Sequence, residues 1–404
     1  MLSIYGNCHS VQSAGQYYRI RTPLNALKKK GLAKVYVDDP FQDPYWRQNK
    51  VFTCDVQLNF LTGGKALHKQ TKFLTEMKPI HDEIEGTQYP PIIIWDIDDD
   101  IQSINPFNPK FCTLATRDDK GELLDPETDF GVRFEEFSGD FGEEAVYLWR
   151  HNQMTPHGNF DAGRNIVNHA QIRKMAATAH AITCTGEYLK NRIKDWNPNI
   201  FVYPNSITFS DFQKIDVRRP KDDVRVLWQG GYSHFCDFYP LKRSFGVAAA
   251  RMPQIKWVIL GTKFDWVMKE INPFRIEFHP WVAHQLFWLK MATLSYDIAI
   301  APLADTIFNP AKSAIKFYES AALRVPIVAQ NVGPFKEIID GETGLLFNDG
   351  PEFVEKLEML VKDPEKRRKI GNNAYDWVRE YRDAEKTCEP LLEFYEETLT
   401  KARS

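Results

Sequence analysis

"PPIIIWDIDDD" (Pro90–Asp100) opens on two prolines, runs through three isoleucines and a tryptophan, and stops in a cluster of carboxylates. A strand with one wet face alternates apolar and polar residues, whereas an unbroken apolar run fits a parallel strand covered on both faces. Parallel neighbours need crossover connections, so strand and helix should alternate on either side of it. Upstream, "LSIYG" (Leu2–Gly6) reads as a strand ending in glycine, "GQYYRIRTPLNALKKKG" (Gly15–Gly31) as a helix, and "AKVYVDD" (Ala33–Asp39) as the next strand. Downstream, "AHAITCTGEYLKNRI" (Ala179–Ile193) is a strand feeding a helix, with Thr185 as the expected N-cap. The class is α/β.

The chain has 404 residues, more than one compact core holds, so two domains are expected. The pattern restarts after "IFVYPNS" (Ile200–Ser206), giving domains of 1–205 and 206–404. The second half repeats the alternation in "VRVLWQGG" (Val224–Gly231), "IKWVILG" (Ile255–Gly261), "FRIEFHPWV" (Phe274–Val282), "YDIAIAPL" (Tyr296–Leu303) and "VPIVAQNVG" (Val325–Gly333). Terminal helices follow, "PEFVEKLEMLVKD" (Pro351–Asp363) opening on proline and acid, and are assigned to the second domain. Residues 106–157 have little periodicity and read as an insertion or lid.

Net charge is −3, so no overall basic field favours a polyanion. The six cysteines form no CxxC pair and read as reduced thiols. With neither a signal-like start nor 18 consecutive apolar residues, the expectation is a cytoplasmic protein, with peripheral membrane contact left open.

Open parallel sheets bind ligands beyond the carboxyl ends of their strands, and two facing sheets make a cleft. Near one such end lies "NPAKSAIKFYES" (Asn309–Ser320). Read as a helix capped by Asn309 with Pro310 in its first turn, it gathers Lys312, Lys316 and Glu319 within an arc of roughly 60°. Such a stripe is either a solvated face with a weak Lys316–Glu319 pair or, at a helix start, an anion site.

"RVPIVAQNVGPFKEIIDGETGLLF" (Arg324–Phe347), with Glu319 before it, resembles the carboxyl-terminal half of the GT-B glycosyltransferases of the large retaining family that uses sugar nucleotides. Glu319, Pro326–Ala329, Gly333, Glu337, Asp340–Gly341 and Gly344–Leu346 carry the likeness. "VYPNS" (Val202–Ser206), "DPEKRRKIGNNAYDWVREY" (Asp363–Tyr381) and the Gly15 helix extend it more loosely. The resemblance implies a GT-B fold, two Rossmann-like domains facing each other across a cleft, and transfer of a sugar from a nucleotide-sugar donor, most simply UDP-linked. The acceptor is a hydroxyl on a saccharide, lipid-linked glycan, small molecule or modified DNA. The nucleotide sugar is a substrate, with no tightly bound cofactor and no metal expected.

The resemblance also implies roles for some residues, and where the chain departs from it other side chains become the candidates. Glu319 accepts from the ribose diol. A second family glutamate would fall on Ala311, which shifts sugar recognition to Ser313 or backbone amides. The family's phosphate-binding Arg and Lys are missing from "WQGGYSHFCDF" (Trp228–Phe238). Gly230 and Gly231 permit close backbone approach, His234 offers a hydrogen bond, and Lys312 and Lys316 supply the charge that neutralises the leaving diphosphate. Asp98 and Asp99 occupy the segment where relatives touch the transferred sugar. A metal-binding DxD or a carboxylate-capped helix are other readings of that cluster. Gly15, with Arg19 and Arg21 after it, is placed where the amino-terminal loop meets donor phosphate or acceptor, though either arginine also reads as a surface cation. Phe278 or Trp281 is a candidate to stack on the donor base, core packing being the other reading. His151, His157 and His169 read as satisfied polar side chains.

With retention no general base is needed; with inversion an Asp of the cluster is the base. Two other readings are a phage-type enzyme glycosylating hydroxymethylated DNA bases, which needs a basic groove, and a noncatalytic nucleotide-sugar binder, for which Ala311 and the missing cations would be scars. The lack of a GxGxxG after an early strand weighs against a nicotinamide dehydrogenase.

Overall fold

The computed structural model describes residues 1–8, 13–37, 53–60, 65–82, 86–104, 108, 114, 162–212 and 223–404. The expected insertion at 106–157, with His151 and His157, lies almost wholly outside them.

The chain forms two compact units. The first comprises Met1–Asp99, Val167–Thr208 and Tyr381–Ser404. Its strands are β1 (Ser3–Asn7), β2 (Lys34–Val37), β3 (Val56–Phe60), β6 (Ile92–Ile97), β7 (Ala181–Cys184) and β8 (Ile200–Val202), and a small antiparallel pair, β4 (Ile80–Asp82) and β5 (Gly86–Gln88), stands apart. The six form one parallel sheet in the order β2-β1-β3-β6-β7-β8. All six residues of β6 are buried, as the isoleucine run requires of a central strand. β3 brings Gln57 and Asn59 inside the sheet, where Gln57 Nε2 donates to Asn59 Oδ1 at 3.1 Å and Asn7 Nδ2 donates to the same oxygen at 2.9 Å.

The core of this unit corrects the assignment of the last two helices, Ala384–Thr387 and Glu389–Arg403, whereas Gly350–Lys362 stays with the second unit as expected. Ala384, Cys388, Leu391, Leu392 and Tyr395, from the last segment of the chain, pack with Ile4, Leu24, Leu27, Leu58 and Ile94. Two backbone hydrogen bonds of 2.9 Å, Ile207 N to Arg382 O and Ala384 N to Ile207 O, stitch the returning chain down. Ion pairs of Lys29 with Glu385, Lys30 with Glu389 and Arg403 with Asp55 line its margin.

The second unit is built on Phe209–Glu380. β9 (Val224–Gly230), β10 (Ile255–Gly261), β11 (Ile276–His279), β12 (Ile298–Ala301), β13 (Ile327–Gln330) and β14 (Leu345–Phe347) pair in parallel in the order β11-β10-β9-β12-β13-β14. Counted within the unit this is the 3-2-1-4-5-6 order of the doubly wound nucleotide-binding sheet, with its reversal between β9 and β12. Aromatic rings fill the core: Trp228 meets Phe238 edge-on at 4.5 Å and Phe238 stacks on Phe245 at 5.3 Å. Among the described residues, no helix is long and apolar enough to cross a membrane.

Two local expectations change. Gly186, not Thr185, is the N-cap of the helix Glu187–Arg192, because Thr185 donates instead to the carbonyl of Asp98 at 3.3 Å. The stretch from Asn309 is also not one helix: a single 3₁₀ turn, Asn309–Ala311, ends at Lys312, whose extended ψ of 171° breaks the path before the α-helix Ile315–Ala322 begins. The reason is tertiary, since Asn309 Nδ2 donates to Asp237 and to Ala304 O instead of leaving its side chain to cap a helix.

Candidate active site

The reversal point of the second sheet is where a crevice forms, because the crossovers after β9 and β12 leave on opposite faces. β9 ends in Gln229 and Gly230, and Gln229 Nε2 donates to the carboxylate of Glu319. Glu319 is 3% exposed, which removes the solvated-face reading of the lysine stripe. At Gly230 a Cβ would stand 2.8 Å from the His234 ring and 2.9 Å from Trp228, so only glycine lets the histidine lie over the strand end. Gly261, at the end of β10, has φ +109°, and a Cβ there would meet the Gly230 carbonyl at 2.4 Å and Trp281 at 2.8 Å.

Around this floor the polar groups converge. His234 Nδ1 bonds Asp237 Oδ2 at 2.7 Å, and Lys316 Nζ lies 3.1 Å from His234 Nε2. Lys312, from the link after the 3₁₀ turn, places Nζ 3.8 Å from Asp237 and over the Phe308 ring. Although Lys312 is not on the helix, the break returns it to the same place as Lys316. Ser313 lies on the same link, half-buried, and Gly231 directly follows β9. Tyr318 donates its hydroxyl to Glu337, tying the helix to the loop after β13.

Burial, then Lys316 and Lys312, push His234 down to about 3, so its imidazole is neutral. Burial pushes Asp237 up, but Lys312 and His234 overcome it and hold the carboxylate at about 2. Burial and then Lys312 bring Lys316 down to about 7, against partial support from Asp237 and Glu319. Two amines thus stand beside the ionised Asp237 and a neutral histidine, with Glu319 near Lys316 and held by Gln229. That is a setting that gains from an incoming anion.

The first unit treats its expected residues differently. Arg19 is 1% exposed and takes Asp96 in a two-pronged pair, Nε to Oδ1 at 2.9 Å and Nη2 to Oδ2 at 2.8 Å. Its Nη1 donates to Tyr203 O and, at 3.0 Å, to Asn205 Oδ1. It is therefore neither a surface cation nor available to a phosphate, and its role is to lock the end of β6 to the stretch after β8. A π-wound turn, Tyr17–Arg21, turns it inward. Of the acid cluster, Asp96 is consumed in this pair, and Asp100 Oδ1 accepts from the amide of Gln102 at 3.2 Å within a turn. Asp98 and Asp99 are half-buried, with Asp98 Oδ2 only 2.6 Å from where a Gly15 Cβ would stand. A side chain at position 15 would thus have to displace that carboxylate and the Phe60 ring, 2.7 Å away. His169 is buried in the helix Ala162–Thr178.

Trp281 is 44% exposed against Gly261, beside the β9 end, whereas Phe278 is exposed on β11 at the sheet edge. Sequence reasoning missed Asp237 and Gln229 and read Asn309 only as a helix cap. A histidine and aspartate three residues apart gave a faint signal for the first, while Gln229 is meaningful only once β9 is set beside Glu319.

Residues 242–393, under half of the chain, match the family described as Glycosyl transferase-like. Trehalose synthase of Pyrococcus horikoshii is 44% identical over 55 residues, which is 13% of this chain and 13% of that enzyme. Anabaena HepE, solved in complex with UDP, superposes with a TM-score of 0.55 at 12% identity over 98% of this chain and 100% of its own. S. aureus TarM gives 0.53 at 10% identity over 87% of this chain, which spans 57% of TarM. The chain has the GT-B fold, and the glycosyl transferase-like match covers much of its second unit and the start of the returning segment beyond Tyr381.

Proposed function

We propose that this chain is a glycosyltransferase that moves a sugar from a nucleoside-diphosphate donor, UDP-linked, to a hydroxyl acceptor with retention at the anomeric carbon. The observation that carries the reading is the convergence of Lys312, Lys316 and Glu319 at the reversal point of a doubly wound sheet. HepE, of the same fold, has been crystallised with UDP and with UDP-glucose, which supports the choice of donor.

Lys312 and Lys316 take the charge that develops on the diphosphate as the glycosidic bond breaks, and the Gly230–Gly231 backbone lets the phosphate approach. Glu319, oriented by Gln229, accepts from the ribose hydroxyls. The exposed Trp281 ring gives the base a stacking surface. Asp98 and Asp99 serve the sugar or acceptor hydroxyls. With retention, the leaving phosphate oxygen takes the acceptor proton and no separate base is required. No metal is assigned a part.

A panel of nucleotide sugars tested by thermal shift identifies the donor, since a ligand bound only by the folded chain raises its melting temperature. Turnover is then followed as released nucleoside diphosphate, and the product's anomeric configuration by proton NMR. A melting shift without nucleoside diphosphate release would leave only a binder. An inverted product would remove retention and call for one of the aspartates as base.

A further inference from the structure

Asp237 is 2% exposed, in the short helix Phe235–Phe238, and both of its oxygens are engaged. Oδ1 accepts from the Ala304 amide and from Asn309 Nδ2, each at 2.9 Å. Oδ2 faces His234 Nδ1 at 2.7 Å and Lys312 Nζ at 3.8 Å. A buried carboxylate is costly unless donors surround it, and here they come from three stretches: the turn after β9, the loop after β12, and the link before the helix Ile315–Ala322. Removing the acid would unfasten all three at the point where the lysines meet.

We propose that Asp237 is the positioning residue of the anion site: it holds His234 as the Nδ1–H tautomer, so that Nε2 offers its lone pair to Lys316 and aims that amine beside Lys312. The proposal rests on the reading of this site as a diphosphate site. An ionised Asp237 accepts only, so the proton between the two side chains sits on Nδ1, and Nε2 is left as an acceptor 3.1 Å from Lys316. A second proton on the ring would face both Lys316 and Lys312, the groups that together with burial depress His234. Lys316 itself is faced by His234, Lys312, Asp237 and Glu319, and of these only the neutral ring supplies a directed acceptor. In this account the histidine orients a cation for phosphate and is not itself the phosphate donor.

The tautomer is read on the wild-type chain, without ligand, from long-range proton–nitrogen correlations of ¹⁵N-labelled protein. An Nδ1–H ring at pH 7 is the expected result, and an Nε2–H ring overturns the proposal. In Asp237→Asn the side-chain oxygen stays with its two donors, Ala304 and Asn309, so the amide NH₂ faces His234 and the ring should switch to Nε2–H, directing a proton at Lys316. Dissociation constants for the best nucleotide sugar and for inorganic pyrophosphate should then rise roughly tenfold to a hundredfold. If the variant is folded and keeps wild-type affinity for pyrophosphate, Asp237 is merely structural and the proposal fails. Pyrophosphate also separates two failures: wild type that binds it but no nucleotide sugar refutes the donor reading and leaves Asp237 to be judged by tautomer and pyrophosphate affinity. Wild type that binds neither refutes both.

Discussion

Burying an amine next to a second ammonium makes folding compete with protonation, and Lys316 shows the sign of that competition. Its pKa falls from the ordinary 10.5 to about 7, burial being the larger cause and Lys312 the next. Between those values the unfolded chain binds more protons than the folded one, so this residue's contribution to stability rises with pH across the window and is poorest below pH 7. Lys316→Met removes the effect. The stability of wild type relative to that variant, from urea titrations at pH 6 and pH 9, should improve toward pH 9, by no more than about 1.4 kcal/mol per pH unit, the ceiling for a single proton. A difference that shrinks or stays flat would contradict the burial of this amine. For turnover, Lys312→Ala and Lys316→Ala should each lower kcat/KM roughly 10²- to 10³-fold, as loss of one charge-stabilising donor does. Arg19 belongs to a different class of residue. Arg19→Leu strands Asp96 as a buried unpaired acid and should destabilise the fold by about 3–5 kcal/mol. If nucleotide affinity falls instead while the melting temperature holds, Arg19 touches donor after all.

Glycines at the ends of elements divide into those that make room and those that make turns. Gly230 makes room, since its Cβ would push the His234 ring and through it Lys316. Gly31, at φ +69° with open space around it, makes a turn after the helix Thr22–Lys29. Gly230→Ala is therefore expected to cut kcat/KM by an order of magnitude or more, roughly the effect of a misplaced catalytic group. Gly31→Ala should cost about 1–2 kcal/mol of stability and leave turnover unchanged. Steady-state kinetics beside thermal melts separate the two, and equal kinetic losses would refute the distinction. The same elements mark what sequence reveals. β6 was legible because its apolar run has only one comfortable setting. β3 was not, because Gln57 and Asn59 look like surface residues until their side chains are seen bonding to each other and to Asn7. The lysine helix was half legible: its periodicity is real from Ile315 onward, but its start depends on Asp237, 72 residues away, capturing Asn309.

At the scale of the chain, both sheets, their parallel sense and the end of the second where Lys312, Lys316 and Glu319 gather could be read from strand runs and from the family likeness around Glu319. What could not be read is which core the last helix joins, since an amphipathic helix declares an apolar face without naming the surface it covers. Glu389–Arg403 looks like any terminal helix, yet Leu391, Leu392 and Tyr395 complete the core of the first unit with Leu24, Leu58 and Ile94. The first unit is thus assembled from the beginning of the chain, the middle segment Val167–Thr208 and the end, while the second takes Asp100–Ile166 and Phe209–Glu380. A chain stopped at Glu380 tests this directly. It loses the five core side chains from Ala384 to Tyr395, of which Leu391, Leu392 and Tyr395 are each worth about 2–5 kcal/mol when removed, a total comparable to the whole margin of a typical domain. Hydrogen exchange followed by mass spectrometry should then find β1, β2, β3 and β6 exchanging as an unfolded chain, while β9, β10, β12 and β13 keep their protection. Loss of protection in both sheets would mean that the second unit cannot stand without the first. Protection kept in both would mean that the returning helix is an ornament on a core already complete. The expected asymmetry follows only if the segment beyond Tyr381 is a working part of the first sheet's hydrophobic layer.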